Sequence, residues 1–220
     1  MINSESSEKY NTIFSEVAKK SNVIDYIEKV IYINLEHRID RKELIEKELS
    51  IFPSEKVIRF NAIKDDFGHI GCAKSHIEVL KLVIKNNWKN VLIVEDDAIW
   101  NNIEDGFSIL EKLINENYDV ILLGGTKYIF SDKYKLSKAQ TATGYLIKNH
   151  YYNTLLLNFE ESLKKLTENK QWYNCIDQRW NLLIVKDNWY GIDPVLLYQR
   201  DGYSDIENTN RKLKYLFNIK

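Results

Sequence analysis

Three adjacent acids, Glu95-Asp96-Asp97, follow directly on the aliphatic run Val91-Leu92-Ile93-Val94 and give way at once to Ala98-Ile99-Trp100. Carboxylates this close repel one another, and burying part of that charge is costly unless a cation or strong donors stand nearby. Something positive is therefore expected beside them. Glu95 and Asp97 are two residues apart, so in extended chain they point to the same side and could share one divalent ion. The plainer reading is a strand-end turn whose acids are solvated or cap the next helix.

Other residues suited to chemistry lie on both sides of this run. Arg38 and Arg41 carry planar, multidentate donors that could grip phosphate or a base edge, or could simply be a solvated helix start. Gly71 would let the backbone come close to a ligand, and Ser75-His76 lie near the start of a helix, whose free N–H groups favour anions. Gly124-Gly125 reads either as a close backbone approach or as a turn. Asp177, Asp193 and Asp201 are candidate general bases. Trp172, Trp180 and Trp189 offer flat faces of the kind that pack on sugar rings, although core is the commoner role for tryptophan.

These residues must be positioned by the elements around them. Val30–Asn34 is a short β-rich run, followed by an amphipathic stretch to Leu49 for which Asp40 and Glu43 form a start resembling a capping box. Lys56–Phe60 reads as a strand, Gly68–Gly71 as a loop and Cys72–Asn86 as a helix. Val91–Val94 has no polar alternation, which predicts a strand covered on both faces. Asp105–Ile114 reads as a helix and Val120–Leu123 as another buried strand. This alternation predicts an open α/β sheet with helices on both faces, whose ligands bind beyond the carboxyl ends of the strands. Residues 1–29, with Tyr10, Ile13, Phe14, Val17, Ile24 and Ile27 near helical spacing, read as a helical extension to a domain spanning 30–220.

Composition narrows the function. Hydrophobic residues make up 44% of the 220, enough for a sizeable core, which excludes a disordered or fibrous chain. Lys+Arg (31) nearly balances Asp+Glu (32), so no global positive field gathers nucleic acid or an anionic membrane. Cys72 and Cys175 form neither a disulfide framework nor a zinc-finger spacing, which fits a reducing, cytoplasmic compartment. Met1–Glu8 is polar and acidic, unlike a secretory leader, and no run reaches the length of a membrane span. A soluble protein is expected, with its oligomeric state open.

A strand ending in Glu-Asp-Asp also opens the receiver domains of phosphorelay proteins. Here the strand that would carry the phosphoacceptor, Asp119–Leu123, is followed by Gly124, and the acids come 90 residues late, so that reading is rejected. The ordered set Ile33-Asn34-Leu35, Arg38, Asp40 and Arg41, Gly68, Gly71-Cys72, Ser75-His76, and Glu95-Asp96-Asp97 instead resembles glycosyltransferase family 25. Thr143-Gly144-Tyr145-Leu146-Ile147, Asp177, Gln199 and Ser204-Asp205-Ile206 continue the resemblance. That family includes bacterial lipooligosaccharide galactosyltransferases and the enzymes that glycosylate collagen hydroxylysine.

The resemblance implies a GT-A fold, with an open, mixed, mostly parallel sheet. It also implies an inverting transfer of galactose or glucose from a UDP-sugar to a glycan or protein acceptor, with Mn2+ or Mg2+ as cofactor. Glu95, Asp97 and Asp205 would hold the metal; Asn34, Leu35, Arg38, Arg41, Gly71, Ser75, His76 and Asp96 would bind the donor; and Asp177 would be the base. The competing expectation is a glycan-binding or scaffold protein that keeps the fold without turnover.

Overall fold

The computed structural model describes residues 22–217 and 219. The expected helical positions at Tyr10, Ile13, Phe14 and Val17 lie outside them. A short helix α1 (Val23–Tyr26) precedes ten strands: β1 (Lys29–Asn34), β2 (Val57–Asn61), β3 (Asn90–Glu95), β4 (Ala98–Trp100), β5 (Val120–Phe130), β6 (Leu136–Lys148), β7 (Trp189–Gly191), β8 (Leu197–Gln199), β9 (Gly202–Ser204) and β10 (Thr209–Arg211). Six of them form one sheet in the order β2-β1-β3-β6-β5-β7. The pairs β1–β2, β1–β3 and β5–β7 are parallel, and β6 runs antiparallel to both its neighbours. The expected mixed, mostly parallel α/β sheet is therefore the one observed.

The sheet is buried on both faces. From β1 and β3, Ile31, Ile33, Val91 and Ile93 pack under helices α3 (Gly68–Asn86) and α5 (Tyr152–Glu168), meeting Ile77, Leu80, Leu155 and Phe159. The alternate residues Val30, Tyr32, Leu92 and Val94 meet Ile45 of α2 (Ile39–Glu48), Phe107 and Leu110 of α4 (Ile103–Leu113), and Val23, Ile24 and Ile27 around α1. Cover on both sides is why β3 reads as an unbroken aliphatic run and not as an alternation.

Several local expectations change. The N-cap of α2 is Arg38, without a side-chain cap, and Asp40 lies in the first turn with its carboxylate bonded to the Arg38 guanidinium (2.8 and 2.9 Å). A pair two residues apart outcompetes the reciprocal box. Gly68–Gly71 is the first turn of α3 and not a loop; Ile70 N–H donates to Phe67 C=O at 2.8 Å. A Cβ on Gly71 would stand 2.6 Å from Ile63 C=O, so glycine serves close packing there as well as a turn. The helix expected at Asp105–Ile114 starts two residues earlier, and the strand expected at Val120–Leu123 runs on to Phe130, bulged, in a long hairpin with β6.

Candidate active site

A cavity of about 620 Å³ opens beyond the carboxyl ends of β1 and β3. Its lining includes Leu35, Arg41, Gly71, Ser75, His76, all three acids of the cluster, Asp177 and Asp205. Asn34 and Arg38 are not among the lining residues and support it from behind. The segment of β6 at Thr141-Ala142 and the short helix α6 (Ile176–Arg179) also line the cavity. The topology thus gathers residues from both halves of the sequence at the sheet's ligand-binding edge.

The positive partner demanded by the acids is Arg41. One of its nitrogens donates to Asp96 Oδ1 (2.9 Å) and Asp97 Oδ2 (3.2 Å), and the other to Tyr203 C=O (2.7 Å). Asn34 Nδ2 donates to Asp96 Oδ2 at 2.7 Å, and Asn34 Oδ1 accepts from Arg59 Nε at 3.1 Å. Burial nonetheless raises the Asp96 carboxyl, against the pull of Arg41. Burial and then the neighbouring Glu95 push Asp97 up to about 8, with Arg41 opposing. Asp97 Oδ1 is buried with no hydrogen-bond partner.

Arg38 and Asp205 are held by each other. The Arg38 guanidinium bonds Asp205 Oδ2, Asp40 and Tyr203 C=O, and His37 Nε2 lies 3.2 Å from Asp205 Oδ1. This network engages both side chains and ties β9 to the turn after β1. Arg41 is engaged in the same way, so neither arginine offers a free guanidinium.

On α3, Ser75 Oγ accepts from Ile63 N–H and donates to Gly71 C=O, both at 2.8 Å, which makes it a clamp for the incoming loop. His76 is 1% exposed; its Nδ1 shares a 2.9 Å hydrogen bond with Tyr145 OH, while Nε2 faces Glu95 Oε1 at 4.0 Å. Glu95 Oε2 accepts from Gln199 Nε2 at 2.7 Å. Gln199 reaches it because β8 crosses Gly124 of β5, where a Cβ would lie 2.5 Å from Leu197 C=O. Of the two readings of Gly124, close backbone approach is the one observed.

Asp177 Oδ2 accepts from Thr141 N–H (3.0 Å) and Gln178 Nε2 (3.1 Å). Burial raises its carboxyl, Glu95 adds to that, and the Thr141 amide opposes it. Asp193 and Asp201 do not line the cavity; Asp201 instead accepts from the Leu213 and Lys214 amides. Trp180 and Trp189 are fully buried core, whereas Trp172 is 62% exposed just before α6.

A hard divalent ion fits the acids on two grounds. Asp97 has an orphaned buried oxygen, and the donors around it are carboxylates, the ligand type that manganese and magnesium prefer. Sequence spacing does not report the partnerships Arg41–Asp96/Asp97, Gln199–Glu95 and His76–Tyr145. The acid run predicted a cation, but nothing in the spacing said which one.

Residues 66–172 match the model of glycosyltransferase family 25, described as an LPS biosynthesis protein. The match includes Gly71, Ser75, His76, the acid cluster and Thr143–Ile147, and it bears out the family resemblance drawn from those motifs. A comparison with curated proteins found no match. Among solved structures, the chain is similar to a glycosyltransferase involved in the glycosylation of the major capsid of PBCV-1, with 10% identity and a TM-score of 0.46 over 76% of this chain and 81% of the other. It is similar also to the glycosyltransferase GlyE of Streptococcus pneumoniae TIGR4, with 14% identity and a TM-score of 0.48 over 76% and 45% of the two chains. Among the described residues no helix is long and apolar enough to cross a membrane.

Proposed function

We propose that this chain, a glycosyltransferase carrying the motifs of family 25, moves galactose or glucose from a UDP-sugar to a hydroxyl of a glycan or hydroxylysine-bearing acceptor, with inversion. The observation that carries the reading is the single cavity in which the acid cluster and Asp177 stand together at the carboxyl edge of the sheet. Glu95 and Asp97 would hold a manganese or magnesium ion, which when bound supplies Lewis-acid neutralisation of the departing diphosphate. Asp205 stands ready at the cavity wall but is neutralised by Arg38.

The chain's own groups do the rest. Asp177 takes the proton of the acceptor hydroxyl; its burial raises the carboxyl and so makes it a stronger base. The Thr141 amide and Gln178 fix one oxygen of that carboxylate and so aim the other. Arg41 and Asn34 hold Asp96 in place and keep the acid cluster folded, and Leu35 presents an apolar wall to the donor. Trp172, exposed beside α6, supplies a flat face for a sugar ring of the acceptor.

The test is a donor screen: nucleotide release from UDP-galactose, UDP-glucose and other sugar nucleotides, with manganese present, in the wild type and in Asp177→Asn. Release from a UDP-hexose is expected from the wild type. Tight UDP binding with no release from any donor, with or without glycan acceptors, would favour the non-catalytic glycan-binding reading instead.

A further inference from the structure

Cys72 and His76 lie one turn apart on α3, so both side chains leave the same face of the helix. That face meets the end of β3, where Glu95 turns into the cavity. One ligand atom from each of the three residues (the Cys72 sulfur, a His76 ring nitrogen, a Glu95 carboxylate oxygen) lies within 4.8 Å of the others. Neighbours already orient two of them. Tyr145 OH holds His76 Nδ1, leaving Nε2 toward Glu95, and Gln199 holds Glu95 Oε2, leaving Oε1 toward His76. A partner on the far nitrogen of the imidazole is the arrangement that fixes tautomer and ring orientation in metal-binding histidines.

We propose that Cys72 Sγ, His76 Nε2 and Glu95 Oε1 form a three-ligand site for a thiolate-preferring divalent ion, zinc in particular, with its fourth position open to the cavity. Ligands on a tetrahedral zinc stand about 3.3–3.7 Å apart, so side-chain movement of roughly an ångström brings the three atoms onto one ion. The Cys72 thiol loses its proton to solvent on ligation. Sulfur, nitrogen and oxygen together select zinc or cobalt over manganese or magnesium, which favour oxygen alone. Of the three residues only Glu95 belongs also to the proposed hard-metal pair, and binding here does not require that the chain transfer sugar.

The test uses cobalt as a spectroscopic stand-in for zinc, titrated into chelator-treated full-length protein. The expected result is a near-ultraviolet sulfur-to-cobalt charge-transfer band with visible bands of tetrahedral intensity, saturating at one equivalent and abolished by zinc. Cys72→Ser removes the charge-transfer band, and His76→Gln weakens cobalt binding by roughly tenfold or more. A wild-type protein without that band overturns the proposal whatever the variants do. A band that survives in Cys72→Ser overturns it as well, by assigning the thiolate to Cys175, which lines the same cavity.

Discussion

Removing Arg41 exposes how the acid cluster is tolerated. Its side chain is 15% exposed, against 10% for those of Asp96 and Asp97, so the three charges share a site that excludes most water. Replacing Arg41 with methionine keeps the aliphatic stem but strands two acids and the Tyr203 carbonyl. Breaking a buried ion pair from one side costs about 3–5 kcal/mol, a large share of the roughly 5–15 kcal/mol that holds a domain together. For a chain of this size that lowers the melting temperature by about 6–20 °C. The sign with pH follows from Asp97, whose folded carboxyl sits near 8 against an ordinary 3.8. A raised acid binds its proton more tightly in the folded state, so stability falls as pH climbs between those two values. Without Arg41 that carboxyl is raised further and the window extends above 8, so the deficit of Arg41→Met grows as pH rises through 8, smaller near pH 6 than near pH 9. Urea denaturation of wild type, Arg41→Met, Asp96→Asn and the double variant at both pH values measures this, and the double variant recovers much of the loss. An Arg41→Met protein within about 1 kcal/mol of wild type near pH 9 would refute the role of counterion.

Three further outcomes test the rest of the site. Asp177→Asn keeps UDP affinity while transfer falls by roughly two to four orders of magnitude; near wild-type transfer would remove it as the base, and lost UDP binding would move it to the donor side. Calorimetric titration of UDP shows affinity that drops by roughly tenfold or more when manganese is chelated, and a smaller or absent manganese effect in Asp97→Ala; equal affinities in all four cases would remove metal bridging. Gly124→Ala forces β8 away from β5, costs about 1–3 kcal/mol in denaturation experiments and loosens Gln199 from Glu95; an unchanged stability would show that the crossing is not tight.

The sheet was legible because hydrophobic pattern reports burial. Val91–Val94 and Val120–Leu123, aliphatic without alternation, could only be strands covered on both faces, and the position of Glu95-Asp96-Asp97 at the end of one of them placed the cavity. What was illegible is contact at long separation. Arg41 and Asp96 are 55 residues apart and Glu95 and Gln199 104, and no local spacing reports such pairings. Gly68–Gly71 read as a loop because glycine weakens a helix, and the opposing reason, the approach of Ile63 to Gly71, comes from tertiary packing. Trp180 and Trp189 could not be told from sugar platforms by type, since only burial separates the two uses of an indole.

The latch between Arg38 and Asp205 joins positions 167 residues apart, and Gln199 reaches back as far as Glu95. During synthesis at about 5–20 residues per second, the first acid run leaves the ribosome well before either partner exists. A nascent chain therefore carries β1 and β3 with their acids present but no finished cavity, and the wall formed by β8 and β9 arrives about 100 residues after them. Closure of the cavity waits on Gln199 and Asp205: a chain arrested before Gln199 would carry the acid run without the wall that completes its surroundings.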